Sequence, residues 1–355
     1  MKFTAIHQMT AGFVTGDAIS LEIVAIRDLC RAMGCASEIY VPIEVTTAES
    51  RRMVKPLEEY RPAAGELLIY HYSIQSQATE AFRRSTARKV MIYHNITPAE
   101  FFRGFDERVV RQLEEGRRDL GAVAALADAV WADSAYNAAE VSALGAKNVK
   151  VLPLVFSASA FDVPADPVVA QGLSGPSKKI LFVGRMAPNK CVEELIEAFA
   201  WYHKHLERRS ELLLVGSERT CPRYFAMLRM FAAELDLMSV SFVRYASPNG
   251  LISYYQRADL FATTSRHEGY CLPVVEAMYE GVPVLARNVG GVPEAMDGAG
   301  ATFDEASPQE LAGLMHRIIA LGPLREEILA SQRARIERLR SRPVQQELQS
   351  LLDGL

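Results

Sequence analysis

The chain has 355 residues, 49% of them hydrophobic and 23% charged, with a formal net charge of −4. That length is long for one core, so two domains are expected, and the acidic balance argues against nucleic-acid binding by overall electrostatics. The five cysteines (Cys30, Cys35, Cys191, Cys221 and Cys271) include no Cys-x-x-Cys pair, which argues against a disulfide framework or zinc site and for a reducing compartment.

Taken in chain order, residues 3–6 are a short apolar run read as a strand, followed by a loop containing Gly12 and Gly16. Asp17 suits an N-cap, and Ile19, Ile23, Ile26, Leu29, Cys30 and Met33 recur at helical spacing up to Gly34, which fits just past a helix end. A strand over 38–41 completes a β-α-β unit and implies a parallel sheet. Strands over 67–71 and 89–94, a long helix within 107–129, a strand at 130–132, a helix over 135–144 and a strand at 149–152 extend the alternation. Residues 157–177 lose periodicity and are rich in Ala, Pro, Gly, Ser and Asp, the texture of an interdomain linker. The alternation restarts with a strand at 179–183, an amphipathic helix over 192–205, and strands at 211–215, 240–243, 260–263, 284–286 and 301–303. Ser307-Pro308-Gln309-Glu310 reads as a capping box with Pro at the first helical position. Residues 325–355 are helical and strongly charged. The expected division is an N-terminal Rossmann-like domain over 1–160, a linker over 161–177, a C-terminal Rossmann-like domain over 178–335 and a last helix over 336–355. The fold class is α/β with two such domains facing across a cleft, the last helix able to cross back to the first domain; the cleft is the natural binding place.

The N-terminal apolar run breaks too early for a signal peptide. The longest apolar stretch, 120–132, falls short of the ~20 residues a membrane helix needs. A cytoplasmic location is therefore expected, with peripheral contact to the inner face of a membrane still open. Basic clusters at Arg83-Arg84, Arg88-Lys89 and Arg103, Arg108, Arg111, Arg117, Arg118 read first as a solvated helix face, and second as a surface for anionic lipid.

Two stretches stand out chemically. In Arg266-His267-Glu268-Gly269-Tyr270-Cys271-Leu272-Pro273-Val274-Val275-Glu276, Pro273 suits a helix N1 position and Glu276 its first turn. The loop then presents backbone amides at a helix N-terminus, with a carboxylate on either side able to accept hydrogen bonds from sugar or ribose hydroxyls. The competing reading is that Glu276 only complements the helix dipole and Glu268 is solvated. In Gly184-Arg185-Met186-Ala187-Pro188-Asn189-Lys190, which follows a strand, Arg185 and Lys190 could grip a diphosphate; alone, this also reads as a solvated loop. His94, in Tyr93-His94-Asn95-Ile96-Thr97-Pro98, falls at a strand's C-terminal end. No D-x-D pair and no His/Cys cluster at metal spacing appears, so no metal is expected.

The two stretches in this order resemble the retaining glycosyltransferases of family 4 (glycosyl transferases group 1), whose fold is GT-B. Their pattern is G-R-x-x-P-x-K and then E-G-F/Y-G-L-P-x-x-E-A-M, matched here by Gly184 to Lys190 and by Glu268 to Met278. Ala258-Asp259-Leu260-Phe261 and Val289-Gly290-Gly291-Val292-Pro293-Glu294 also look like the family. The resemblance implies that the second domain binds a nucleotide sugar and the first the acceptor. It implies catalytic roles for His94, Arg185, Lys190 and Glu268. Donor contacts would come from Gly16, Gly184, Tyr270, Cys271, Leu272 and Glu276, with Arg185 and Lys190 on the diphosphate, Glu268 on the transferred sugar and Glu276 on the ribose. Cys271 departs from the pattern's Gly; a backbone with positive φ there would strain it.

The implied activity is retaining, metal-independent hexosyl transfer from a GDP- or UDP-linked sugar to a glycan or lipid-linked glycan, without a cofactor. Mannose from GDP-mannose, in bacterial surface polysaccharide synthesis, is the favoured donor reading. The alternatives are a nucleotide-sugar 2-epimerase of similar architecture and a non-catalytic module that binds nucleotide sugars or glycans.

Overall fold

The computed structural model describes residues 2–14, 16–46, 50–156, 158 and 161–355. Thr15, within the loop from Gly12 to Asp17, and residues 157, 159 and 160, at the start of the expected linker, lie outside the described residues. The chain divides into two compact units: residues 1–100, 108–157 and 342–355 form one, and residues 101–107 and 158–341 the other.

The first unit holds a parallel sheet of β1 (Ala5–Thr10), β2 (Ile39–Val41), β3 (Lys55–Pro56), β4 (Glu66–Tyr72), β5 (Arg88–Tyr93), β6 (Ala129–Ala132) and β7 (Val149–Val151), in the order β3-β2-β1-β4-β5-β6-β7. Its helices are α1 (Ala18–Ala32), α2 (Gln77–Arg84), α3 (Glu107–Ala124) and α4 (Ala135–Ala143). β1 is shifted from the expected 3–6. It runs on through His7, Gln8 and Thr10, which are polar yet buried, so no apolar run marks them. In α1 the expected stripe Ile23, Ile26 and Cys30 is buried, and so is Glu22. Asp17 occupies the N-cap, but its side chain makes no capping bond. α2 went unanticipated although Ser76 and Thr79 form a capping box at its start.

The second unit holds β8 (Lys178–Val183), β9 (Ser210–Val215), β10 (Val240–Val243), β11 (Leu260–Thr263), β12 (Val284–Arg287) and β13 (Ala301–Phe303), in the order β10-β9-β8-β11-β12-β13, again all parallel. Its helices are α5 (Pro167–Gly172), α6 (Val192–His205), α7 (Pro222–Glu234), α8 (Pro248–Arg257), α9 (Leu272–Tyr279), α10 (Val292–Met296), α11 (Pro308–Ala320) and α12 (Gly322–Arg340). The capping box at Ser307 and Glu310 forms as expected.

The segment 161–177 is not a plain linker. Asp166 caps α5 by accepting from the Val168 and Val169 amides at 2.9 and 3.2 Å, and Ser253 of α8 donates to the Asp166 carbonyl at 3.0 Å. The Asp-Pro start signal was hidden in a Pro-rich composition. Near the C-terminus, Pro343 separates α12 from α13 (Val344–Asp353). α13 packs Leu348 and Leu352 against Ile6, Ile69, Ile92 and Trp131 in the core of the first unit.

In both sheets the strand order reverses once, between β1 and β4 and between β8 and β11. The C-terminal edge at such a reversal is where open α/β sheets bind ligands.

Candidate active site

In the second unit the reversal is bordered by the loop after β8, residues 184–191, and the loop after β11, residues 264–271. The two loops are stitched together by one backbone bond and by side chains bonded to backbone carbonyls. The Arg266 amide donates to the Asn189 carbonyl at 3.0 Å, and Asn189 Nδ2 returns a bond to the His267 carbonyl at 3.1 Å. Thr264 Oγ1 donates to the Cys191 carbonyl at 2.8 Å. Glycines after the neighbouring strands β9 and β12 let backbone pack against these loops: a Cβ on Gly216 would lie 1.8 Å from the Gly184 carbonyl oxygen, one on Gly290 2.1 Å from that of Glu268 and one on Gly291 2.0 Å from that of Gly269.

This stitching brings Lys190 and Glu268 together. Lys190 Nζ lies 2.7 and 2.8 Å from the two Glu268 oxygens. Burial alone would raise the Glu268 pKa, but the Lys190 charge and hydrogen bonds from Lys190 and Ser265 hold it below its ordinary value. Glu268 is thus buried and ionised, not solvated. Arg185 is exposed and makes no hydrogen bond or ion pair with a described residue, which leaves its guanidinium available to an anion.

α9 begins one residue earlier than expected. Cys271 is its N-cap, Leu272 its first residue and Pro273 its second, so Glu276 lies beyond the first turn. Its carboxyl is buried and accepts a hydrogen bond from Tyr255 Oη at 2.7 Å. Burial pushes its pKa up to about 7, against the lowering effect of that bond. The simple dipole-complement reading therefore fails for Glu276. Tyr270, Cys271 and Leu272 are all buried beside it. Cys271 has φ 74° and ψ 66°, the left-handed conformation that favours glycine. Burial and the nearby Glu268 carboxylate push its thiol pKa well above the ordinary value.

Beneath these loops, Arg287 at the end of β12 is buried. It donates to the Thr264 and Asp304 carbonyls at 3.2 and 2.8 Å and pairs with Glu194 and Glu305. Arg266 joins the same two carboxylates. No sequence motif marked Arg287, Glu194 or Tyr255 as support for the site.

In the first unit, Gly16 (φ 87°) sits in the loop after β1, and His94 directly follows β5. The His94 ring is buried with both nitrogens engaged: Nε2 lies 2.8 Å from His71 Nδ1, and Nδ1 lies 3.0 Å from Asp133 Oδ2 and 3.6 Å from Glu22 Oε2. His71 Nε2 lies 2.9 Å from Gln8 Oε1, whose Nε2 donates to the Ile23 carbonyl at 2.9 Å. Gln8, His71, Asp133 and Glu22 were not anticipated. The signal for Glu22 was its place three residues after Ile19 and four before Ile26, on the apolar stripe of α1.

Glu22, His71 and His94 bring one possible metal-ligand atom each within 4.8 Å of one another. The histidine contact does not suit a shared ion. The rings are nearly parallel (8°) with centroids 5.1 Å apart, the separation of two imidazoles joined end to end through a straight N–H···N bond. Two Zn–N bonds at a tetrahedral angle would hold those nitrogens ~3.3 Å apart, wider than the 2.8 Å observed.

Part of the basic clustering is internally neutralised: Arg83 pairs with Asp119 and Glu80, and Arg117 with Glu140. Arg84, Arg88, Arg111 and Arg118 are exposed. Among the described residues, no helix is long and apolar enough to cross a membrane.

Comparison with known proteins finds the family model "Glycosyl transferases group 1" matching residues 169–335. The D-inositol 3-phosphate glycosyltransferase of Mycolicibacterium vanbaalenii is 33% identical over 176 residues, 45% of this chain and 38% of the relative. That of Acidothermus cellulolyticus is 31% identical over 234 residues, 61% and 51% respectively. The serotype-specific mannosyltransferase WbdA of Escherichia coli is 27% identical over 146 residues, 41% of this chain and 18% of the relative. These matches span at most about half the length of the curated relatives. Among solved structures, sucrose-phosphate synthase of Thermosynechococcus elongatus matches with TM-score 0.75 at 18% identity, covering 99% of this chain and 98% of that one. Anabaena HepE in complex with UDP-glucose matches with TM-score 0.72 at 19% identity, covering 99% and 100%. The fold of two Rossmann-like domains, GT-B, is shared over essentially the whole chain.

Proposed function

We propose, from the match of residues 169–335 to the glycosyl transferases group 1 model, that the chain is a retaining, metal-independent glycosyltransferase that moves a hexose from a nucleotide sugar to a glycan or lipid-linked glycan. The observation that carries the reading is the pairing of Lys190 with buried Glu268 at the strand-order reversal of the second sheet, with unpaired Arg185 on the same loop as Lys190. A diphosphate leaving group bears negative charge that must be met as it develops. Arg185 offers a planar fork, Lys190 a point charge, and the α9 N-terminus a positive dipole end.

On donor binding, Lys190 turns from Glu268 toward phosphate, and the Glu268 carboxylate is released to accept hydrogen bonds from the sugar. Glu276 accepts from the ribose hydroxyls when ionised. The acceptor hydroxyl attacks the anomeric carbon on the face the diphosphate leaves, through an oxocarbenium-like state; no protein nucleophile is assigned. His94 has a catalytic role in transfer, and Gly16 a donor-binding one.

Mannose from GDP-mannose, for a surface polysaccharide, is the proposed donor reading, supported by the similarity to WbdA. Exposed Arg84, Arg88, Arg111 and Arg118 would meet an anionic membrane carrying a lipid-linked acceptor. A panel of UDP-, GDP- and ADP-sugars, followed by donor hydrolysis and product analysis, tests the reading. Turnover of GDP-mannose is expected. Turnover of UDP-sugars alone would sink mannose, and release of an altered nucleotide sugar without an acceptor would identify a 2-epimerase instead.

A further inference from the structure

Residues in or just past four neighbouring strands form a single hydrogen-bonded line across the first sheet. Gln8 lies in β1, His71 in β4, His94 just past β5 and Asp133 just past β6, and the strands are adjacent in that order. All four side chains are buried, and Glu22 of α1 closes on His94 from the helix layer.

The donors and acceptors in this line can be assigned in sequence. Gln8 Nε2 donates to the Ile23 carbonyl, so Gln8 Oε1 is an acceptor and His71 Nε2 must carry a proton. A neutral His71 then has a bare Nδ1, which accepts from His94 Nε2. The other His94 nitrogen faces an Asp133 carboxylate oxygen and donates to it. Both His94 nitrogens therefore carry protons, and the ring is an imidazolium.

We infer that Gln8, His71 and Asp133 are positioning residues that hold His94 as a buried imidazolium in one fixed orientation, with Glu22 as its proton-bearing neighbour. The inference rests on the proposed role of His94 in transfer. Electrostatics agree with the assignment. Burial opposes the charge, yet Asp133 and Glu22 raise His94 to about 8, with a contribution from Asp17. Burial and His94 drive His71 well below its ordinary value. Burial and Asp133 push Glu22 up to about 8, against the lowering effects of His94, the Val155 amide and Arg342. One positive imidazolium, one carboxylate and one neutral acid leave the cluster without net charge, which suits a site shut off from water.

The same accounting predicts what breaks. With Asp133→Asn the imidazolium loses its counter-charge. A neutral His94 keeps one ring proton, on Nε2 for His71 Nδ1, and its bare Nδ1 then accepts from the amide introduced at position 133, so the line persists but the positive charge is lost.

Histidine ring-nitrogen NMR on the full chain, together with donor hydrolysis on GDP-mannose and UDP-glucose, tests the inference. In the wild type, one histidine should show two protonated ring nitrogens at pH ~7 and another a fixed Nε2–H neutral tautomer. Asp133→Asn should remove the imidazolium signal and lower kcat roughly tenfold to a hundredfold, with donor KM little changed. Gln8→Leu should release the His71 tautomer and leave the His94 charge in place. A neutral His94 in the wild type overturns the inference with no variant needed, and so does wild-type kcat in an Asp133→Asn chain that has lost the imidazolium. The spectra decide the proton assignment even if no sugar is transferred, so failure of the proposed function is told apart from failure of this inference.

Discussion

The two sheets carry buried charge at the same topological place and handle it in opposite ways. At the β8/β11 reversal, Lys190 and Glu268 sit on loops and neutralise each other directly, one ammonium group against both carboxylate oxygens, with an exposed Arg185 on the same loop as Lys190. At the β1/β4 reversal, Gln8 and His71 sit in the strands themselves, and the charge on His94 is fixed through a line of bonds closed at each end by Ile23 and Asp133. A loop-borne pair can open to a ligand with little disturbance of the sheet. A strand-borne line cannot, because each donor fixes the protonation of the next acceptor. The second unit's arrangement suits exchange of partners, and the first unit's suits constancy.

The largest expected effect breaks the loop-borne pair. Lys190→Ala and Glu268→Ala should each lower transfer by at least about a hundredfold. Their stabilities should differ. The Lys190 side chain is 14% exposed and that of Glu268 8%, so losing Lys190 strands the deeper charge. Chemical denaturation should show Lys190→Ala destabilised by about 3 kcal/mol and Glu268→Ala by less. Equal losses would mean that the carboxylate finds another partner or water, and wild-type rates in a folded Lys190→Ala chain would refute the diphosphate role.

A smaller effect sharpens the strand-borne side. Glu22 and His94 both have raised folded pKa values, about 8 for each. A group raised on folding stabilises fully below its unfolded pKa and loses that contribution as pH rises through the folded value. Stability should therefore fall between the unfolded pKa of Glu22, ~4.3, and about pH 8. Glu22→Gln cannot ionise, so its Tm should fall less over that range than the wild type's. An identical pH profile in the two chains would show that Glu22 does not hold its proton in the folded state.

The smallest effect concerns Cys271. Cys271→Gly and Cys271→Ala both delete the thiol, but only glycine relaxes the left-handed backbone. The glycine variant should be the more stable of the two by about 1 kcal/mol, net of the entropy that glycine loses on folding. Thermal unfolding of the pair measures it, and a more stable alanine variant would show that the loop tolerates φ 74° without strain.

The regions also differ in how far they could be read from the chain. The donor-side loops are contiguous segments: Gly184 to Lys190 and Glu268 to Glu276 each keep their chemistry within a dozen residues, and a local pattern exposes it. The strand at 260–263, the helix at 192–205 and the capping box at Ser307 were legible for the same reason. The line in the first sheet was not, because its links join residues 63, 23 and 39 positions apart. Its polar side chains also interrupted the apolar run by which β1 would be recognised.

Composition and periodicity by themselves determined an alternating α/β chain with two sheets, and local motifs determined where an anion and hydroxyl-rich groups could be met in the second. Only the tertiary structure decided that Glu268 is buried and paired, that Glu276 lies beyond the first turn of α9 against Tyr255, and that Cys271 bears a positive φ. It alone decided the protonation of His94. A proton's place depends on which donor and acceptor face each other, and parallel strands bring those partners together across a sheet however far apart they lie in the chain.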